Sequence, residues 1–269
     1  MNQDKVIAHR LRTGCQTLRY PAGPAPSLPD RHGGALRLDA ARCPAGCDDC
    51  LPVCPTEAIQ RASDGTVVLD LGRCLFCGDC VEACPEQAIQ RTGDHRMAVR
   101  RREDLILNGP GREEARLAKA LEEKLLKLFG RSLRLRQVSA GGCNACEADT
   151  NVLGTIGWDI GRFGIQFVAS PRHADGLLIT GPVTRNMEMA LRKTYAAVAE
   201  PKIVIAVGAC AISGGPHRDS PEQLNGADSV VPVDLYIPGC PPHPLTTLDG
   251  LLRLLGRLDE NLQRVGRGS

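Results

Sequence analysis

Two cysteine runs constrain this chain more than any other feature: Cys43-Pro-Ala-Gly-Cys47-Asp-Asp-Cys50-Leu-Pro-Val-Cys54-Pro55 and Cys74-Leu-Phe-Cys77-Gly-Asp-Cys80-Val-Glu-Ala-Cys84-Pro85. Thiols this dense end as disulfides or as metal ligands. The 269 residues hold 13 cysteines, and the first residues, Met1-Asn-Gln-Asp-Lys5, form no apolar secretory segment. In a reducing cytosol, clustered cysteines read as metal ligands rather than staples. A further set follows: Cys143-Asn-Ala-Cys146 with Glu147 behind it, then Cys210 in Val207-Gly-Ala-Cys210 and Cys240 in Pro238-Gly-Cys240. Each of the two single cysteines lies just past an apolar run, Ile203 to Val207 and Val233 to Ile237, that reads as a buried strand. Ligands at strand ends meet at one edge of a sheet. A cysteine pair two residues apart can hold one side of an iron-sulfur cluster, and the later singles complete four thiolates. Zinc and a redox Cys-x-x-Cys are the other uses of such a set, although zinc sites usually come as two close pairs.

The doubled run resembles the two-cluster bacterial ferredoxins, in which three closely spaced cysteines serve one cluster and a fourth, before Pro, serves the other. Carried over by position, Cys43, Cys47, Cys50 and Cys84 hold one 4Fe-4S cluster, and Cys74, Cys77, Cys80 and Cys54 the second. The resemblance implies short helical turns after each run, at Thr56-Glu-Ala-Ile59 and Glu86-Gln-Ala-Ile89. The first run departs from the pattern by one extra residue between Cys43 and Cys47, where Pro44 and Gly46 suit an irregular turn. A three-iron cluster or a shifted potential is the alternative there, and a pair of zinc ribbons is the alternative for the whole segment.

A chain of this length suggests two units. Residues 1–40, rich in Pro, Gly and Arg, read as an extended arm lying along a partner or the next domain, with Cys15 a spare thiol. Residues 41–100 form the α+β bacterial-type ferredoxin domain. The basic stretch Arg96 to Arg102 lacks interleaved aromatics and the net charge is only +2, so nucleic acid is not expected, and the stretch reads as solvated or partner-facing. Residues 101–130 are a linker: a turn at Asn108-Gly-Pro-Gly111, then an amphipathic helix from Glu113 to Phe129 packed between two metal domains with separate cores. In 131–258, strands at 133–138, 165–168, 177–180, 203–207 and 231–237 alternate with helices at 184–198 and 245–255. That order predicts an α/β, flavodoxin-like, doubly wound parallel sheet. No glycine-rich nucleotide loop opens a helix, no apolar run approaches the ~20 residues of a membrane span, and residues 259–269 are a tail.

Further motifs carry a closer likeness. Gly141-Gly-Cys-Asn-Ala-Cys-Glu147, Asp159-Ile-Gly-Arg-Phe-Gly-Ile165, Ala169-Ser-Pro-Arg-His-Ala-Asp175, Thr180-Gly-Pro-Val183, Gly208-Ala-Cys210 and Pro238-Gly-Cys-Pro-Pro242 resemble the small subunit of group 4 membrane-bound nickel-iron hydrogenases and formate hydrogenlyase. That small subunit is homologous to the 20 kDa subunit family of complex I. The likeness covers about residues 130–256, and residues 1–100 resemble the two-cluster ferredoxin subunit of the same complexes, here fused. It implies a third 4Fe-4S cluster on Cys143, Cys146, Cys210 and Cys240, with Arg172 and His173 close to it, hydrogen-bonding it or carrying a redox-linked proton. For His173 the alternative is a loop cap; Glu147 and Asp175 are proton-path residues or ordinary solvated acids. Relatives usually continue after the Cys pair with an apolar, acidic helix and an Asn-Pro-like turn, where this chain has Ala148-Asp-Thr-Asn151 and Leu153-Gly-Thr-Ile-Gly157.

The implied function is electron relay to or from a membrane-associated nickel-iron hydrogenase or formate hydrogenlyase-like complex, the chain not being catalytic alone. Implied partners are a large nickel-iron hydrogenase-like or complex I 49 kDa-like subunit, membrane subunits, and a donor subunit or ferredoxin. The location implied is peripheral, on the cytoplasmic face of the cell membrane. Alternatives are a quinone-reducing complex I-type subunit, with quinone binding, and a free ferredoxin-like carrier or redox sensor. Twelve of the thirteen cysteines are thereby ligands and Cys15 is left over. Iron bound to the anaerobically reconstituted chain is expected to approach twelve atoms per chain, three clusters of four; a value near eight would mean that the last four cysteines hold no iron-sulfur cluster.

Overall fold

The computed structural model describes residues 3–29, 31–108, 114–130 and 132–258. It opens on helix α1 (Gln3–Thr13), followed by β1 (Leu36–Leu38), β2 (Ile59–Arg61), β3 (Val67–Asp70), α2 (Asp79–Glu82), β4 (Ile89–Arg91) and β5 (Ile106–Leu107). After these come α3 (Glu123–Phe129), β6 (Leu133–Ser139), α4 (Ala145–Val152), β7 (Ile165–Phe167), β8 (Gly176–Thr180) and α5 (Arg185–Ala197). The chain continues through β9 (Ile203–Val207), α6 (Ala209–Ser213), β10 (Leu235–Ile237) and α7 (Pro244–Leu254).

β6 to β10 form one five-stranded parallel sheet in the order β10-β9-β8-β6-β7. Helices connect the strands because parallel neighbours need a crossover. Both faces are covered, and the strand residues alternate between two cores. Leu177, Ile179, Val204, Ala206 and Tyr236 face one core, which also takes Leu191 of α5. Leu133, Leu135, Leu178, Ile203, Ile205, Leu235 and Ile237 face the other, under α7. Strands buried on both sides read as unbroken apolar runs, which is why β8 and β9 are buried at every position.

The cysteine-rich unit is antiparallel: β1 pairs with β4, and β2-β3-β5 form a second small sheet. Its apolar residues Leu38, Ile59, Leu69 and Ile89, with Cys50, Cys74 and Cys80, belong to the same continuous core as Val138, Ile179 and Ala206 of the large sheet. The separate cores expected from the sequence are therefore one core on that side. The junction is also hydrogen-bonded. Val99 pairs antiparallel with Tyr236, each donating its amide to the other's carbonyl, and Arg100 Nε donates to Asp234 O at 2.8 Å. Met97, Ala98 and Val99 are buried, so the basic stretch is a structural seam rather than a solvated segment; its charges are taken by such bonds and by the Arg102–Asp70 pair.

Other elements depart from the sequence-based expectations. The arm is not wholly extended: residues 3–13 contain no Gly or Pro, carry Asp4 in the first turn and Arg10 and Arg12 in the last, and form α1. The helix expected over 113–129 is confined to Glu123–Phe129. The amides of Ala118 and Leu121 bond instead to Ala98 O and Leu254 O, a tertiary use that overrides the helical spacing of Leu117 and Leu121. Leu121 and Phe129 are buried in the α7 core, so this segment packs behind the large sheet rather than between the metal units. The two short turns expected after the cysteine runs are not helical; each leads straight into a strand, β2 and β4. The expected turn at 108–111 and the tail 259–269 lie largely or wholly outside the described residues. Among the described residues no helix is long and apolar enough to cross a membrane.

The arm lies along the large sheet's domain. Leu18 N donates to Gly157 O, Thr17 Oγ1 to Ile156 O, and Arg162 Nη2 to Tyr20 O. Tyr20 is 2% exposed, and its hydroxyl donates to Asp249 Oδ1 at 2.7 Å, while Arg253 Nε donates to Asp249 Oδ2 at 2.7 Å. Asp249 is fully buried on α7. Tyr20→Phe would leave one carboxylate oxygen short of a donor, a loss of about 1–3 kcal/mol. Chemical denaturation is expected to show that loss, with faster amide exchange across 15–29; unchanged exchange there would mean that the arm is held by its apolar contacts alone.

Candidate metal centres

The cysteine-rich unit holds two cavities. Cys43, Cys47, Cys50 and Cys84 line one, partly open to solvent. Cys54, Cys74, Cys77 and Cys80 line the other. The structure thus brings each run's triplet together with the last cysteine of the other run. Leu38, Val67 and Ile89 complete the first wall, and Ala58, Ile59 and Leu69 the second.

Backbone conformation aims amides at the sulfurs. Glu57 and Gln87 occupy matching left-handed positions, with φ of 51° and 52°. The next amides, Ala58 N and Ala88 N, donate to Cys54 Sγ and Cys84 Sγ, both at 3.2 Å. Phe76 N donates to Cys74 Sγ at 3.2 Å. The extra residue of the first run is absorbed at Gly46, whose φ of 80° leaves open space where a side chain would stand.

Burial, and then the charges of neighbouring thiols, push Cys50 up to about 11 and Cys80 up to about 12. Cys74 is pushed up further by burial. Thiols that crowd a cavity and resist ionisation are stabilised by a bound cationic group, which deprotonates its thiol ligands outright. Among the described residues no three or more His, Cys, Asp or Glu side chains close around a single-ion position. The sulfurs ring a void, and a void with four thiols and a largely apolar wall suits a multi-atom iron-sulfur group.

The third group sits at the carboxyl edge of the parallel sheet. Cys143 follows β6 and opens the turn into α4, Cys210 lies on α6 directly after β9, and Cys240 follows β10. A Cβ on Gly208 would stand 2.5 Å from Cys146 Sγ and 3.5 Å from Gly239 O, so the three segments meet where only glycine fits. Ala209 N donates to Gly239 O at 2.8 Å and locks the last two loops together. Burial first, then the charges of neighbouring cysteines and Glu147, push Cys146 up to about 12 and Cys210 up to about 11. Cys143 and Cys240 are exposed, so this centre lies at the surface.

Glu147, 5% exposed, is not an ordinary solvated acid. Its Oε1 accepts the hydroxyls of Ser139 and Thr180, both at 2.6 Å, and ties the ends of β6 and β8 to α4. Those hydroxyls outweigh burial and hold the carboxyl below its usual range. Arg172 and His173 are not brought to the cysteines. They are exposed and lie before the amino end of β8, whereas the cysteines lie beyond the carboxyl ends; five strand residues of about 3.3 Å separate the two edges. Asp175, at the same far edge, accepts Arg134 N at 2.7 Å and has a structural role. Cys15 is exposed on the arm and lines neither cavity.

Several residues of these sites escaped the sequence reading. Ser139 carries no motif; Thr180 and Gly208 lie in motifs quoted above but without a role assigned to them, and the repeated Ile-Gln-Arg of 59–61 and 89–91 is a visible signal. Each repeated arginine reaches a cysteine loop: Arg61 donates to Cys47 O and to Asp48, and Arg91 to Cys77 O at 2.8 Å.

Comparison with known proteins places these sites in a family. Residues 143–254 match the model of the NADH ubiquinone oxidoreductase, 20 Kd subunit, and residues 42–89 that of the 4Fe-4S dicluster domain. The chain is 44% identical over 149 residues to formate hydrogenlyase subunit 7 of Escherichia coli (strain K12), covering 55% of this chain and 58% of that one. It is 41% identical over 146 residues to the probable membrane-bound hydrogenase subunit mbhJ of Pyrococcus furiosus, covering 54% and 87%. To an NADH-quinone oxidoreductase subunit of Phocaeicola vulgatus it is 46% identical over 112 residues, covering 41% and 57%. The chain thus spans little more than half the length of the first and third of these. Over its cysteine-bearing parallel sheet the chain belongs to the NADH ubiquinone oxidoreductase 20 Kd subunit family, and it carries a 4Fe-4S dicluster domain ahead of that sheet.

Proposed function

We propose that this chain is the electron-transfer subunit of an oxidoreductase, relaying electrons through three 4Fe-4S clusters to or from the active site of a membrane-associated nickel-iron hydrogenase or formate hydrogenlyase-like complex. When bound, such clusters supply one-electron chemistry at potentials set by hydrogen bonds, charge and burial around the sulfurs. The two ferredoxin-type sites are Cys43, Cys47, Cys50 and Cys84, then Cys54, Cys74, Cys77 and Cys80. The terminal site is Cys143, Cys146, Cys210 and Cys240.

One contact carries the reading. Ser213 Oγ donates to Gly72 O at 2.9 Å, joining α6, which bears Cys210, to the residue two before Cys74. The second ferredoxin-type group therefore stands next to the terminal one, which supports a relay through the three groups. A free carrier has no use for such a junction. The chain's own residues hold the ends of this path apart at a set distance, supply sulfur ligands and amide donors to them, and put apolar side chains along part of each wall. The exposed side of the terminal site, at Cys143 and Cys240, is where a large subunit would cover it.

The fold reading that goes with this is a flavodoxin-like domain over 131–258 behind a bacterial-type ferredoxin domain over 41–100, joined by the arm (1–40) and linker (101–130). In sheet order the strands run second, first, third, fourth, fifth, the flavodoxin-like doubly wound order. The terminal site lies at its carboxyl edge, where such sheets place their sites. The partners proposed are a large nickel-iron subunit, membrane subunits and an electron donor or ferredoxin. The chain would dock peripherally on the cytoplasmic face. A complex I-type reading, with a quinone as acceptor, is favoured by the likeness to the NADH-quinone oxidoreductase subunit.

The complex purified through this chain is expected to contain nickel and to evolve hydrogen from a reduced dye. Nickel-free complex that is inhibited by quinone-site ligands would establish the complex I-type reading instead. Cys210→Ser is expected to remove one cluster signal in electron paramagnetic resonance and leave the ferredoxin pair; retention of all signals would remove Cys210 from the ligand set.

A further inference from the structure

The two halves of the ferredoxin unit are alike in backbone but not in charge. Both have an arginine at the end of the strand that follows the run, Arg61 and Arg91, reaching back to the carbonyl of the run's second cysteine. In the first half Asp48 faces Arg61 and pairs with it, Oδ1 to Nη2 at 2.6 Å. In the second half Gly78 stands in that place, and the Arg91 guanidinium lies on its bare backbone, where a Cβ would collide with Nη2. No ion pair of Arg91 is found among the described residues. The positive charge is neutralised beside the first cavity and left whole beside the second.

The linings differ in the same sense. Asp49 and Glu86 line the first cavity, and the second has no charged residue in its wall, with Thr56 where Glu86 stands in the repeat. Glu57 and Asp79 flank the second half but face solvent and are not part of the wall. Each cavity has one cysteine amide bond from the matching turn, Ala88 or Ala58. The second also has Phe76 N on Cys74 Sγ, a bond the longer Cys43–Cys47 loop does not make among the described residues.

Adding an electron adds a negative charge. Carboxylates in the wall oppose it, while a free guanidinium and an extra amide donor favour it. Burial works the other way, since Cys74 and Cys80 are buried, but the second cavity also has the exposed Cys77 and so remains open to solvent. We infer that the two ferredoxin sites are inequivalent by design of the repeat: the site of Cys43, Cys47, Cys50 and Cys84 has the lower reduction potential, and the site of Cys54, Cys74, Cys77 and Cys80 the higher. Asp48, Asp49, Glu86 and Arg91 are the positioning charges that set this order. Electrons entering at the first site are thereby drawn toward the site beside α6. This rests on the cluster assignment proposed above.

The test is a redox titration of the full, reconstituted chain, followed by electron paramagnetic resonance at low ionic strength. Asp49→Asn with Glu86→Gln, exposed isosteric changes, is expected to raise the lower of the two ferredoxin potentials and leave the other. The expected size is at least threefold in the equilibrium constant for reduction, about 28 mV at ~59 mV per tenfold for one electron. Arg91→Gln is expected to lower the higher potential by a similar factor, and Arg91→Lys to restore it. Because these groups are exposed, added salt should shrink each shift. Equal potentials in the unaltered chain, or a shift of the higher potential on removing Asp49 and Glu86, would overturn the inference while leaving the cluster assignment intact. Failure of the unaltered chain to take up iron at the first eight cysteines of the two runs would instead overturn the assignment, and the inference with it.

Discussion

Burial of sulfur centres crowded around a shared void, which keeps their thiols from ionising, is the constraint on which the rest of this structure depends. Four thiols around one void cannot all be charged without a cation, and cannot all be uncharged without wasting the amides aimed at them. Each of the three groups shows both halves of this: thiol ionisation suppressed by burial at Cys50, Cys80 and Cys146, and backbone drawn tight around the sulfurs at Ala58, Ala88 and Gly208. The fold supplies what the sulfurs cannot, a frame rigid enough to hold four thiols around each void.

That frame is a sheet buried on both faces. Alternate side chains of β8 and β9 feed two cores, and the core on one face runs without a break into the ferredoxin unit. The Val99–Tyr236 pairing and the Ser213–Gly72 bond cross the same boundary. A relay needs its centres at fixed separation, and shared burial is a stiffer tie than a linker helix would have been. On the opposite face, the Tyr20–Asp249–Arg253 network draws the N-terminal arm onto α7, where the buried ion pair would otherwise be short of donors.

Much of this was legible in the residues. The doubled cysteine run, through its resemblance to two-cluster ferredoxins, grouped the thiols that line the two cavities, because each triplet lies within one short stretch of sequence. The parallel sheet was legible because strands buried on both faces leave continuous apolar runs. What failed to show was decided by tertiary bonds. Leu117 and Leu121 have helical spacing, but the amides of Ala118 and Leu121 are claimed by Ala98 and Leu254. Arg96 to Arg102 looked solvated because their carboxylate and carbonyl partners lie as much as 134 residues away in the chain. Arg172 and His173 were placed by likeness near the cysteines, yet they precede β8 while the cysteines follow their strands; which end of a strand a loop occupies is a matter of topology rather than motif.

The exchange of Cys54 and Cys84 between the halves has a consequence for biogenesis. Each triplet shares its cavity with the last cysteine of the other run, so under the proposed assignment Cys43, Cys47 and Cys50 wait for Cys84, 34 residues past Cys50, to leave the ribosome. At ~5–20 residues per second that interval lasts seconds. During it the nascent chain carries up to seven thiols of the two runs with an incomplete first site, open to oxidation or to the wrong metal. The second set closes at Cys80, just ahead of Cys84, so the site begun first is the one finished last. A truncation anywhere before Cys84 forfeits both that first site and the β1–β4 pairing that closes over it.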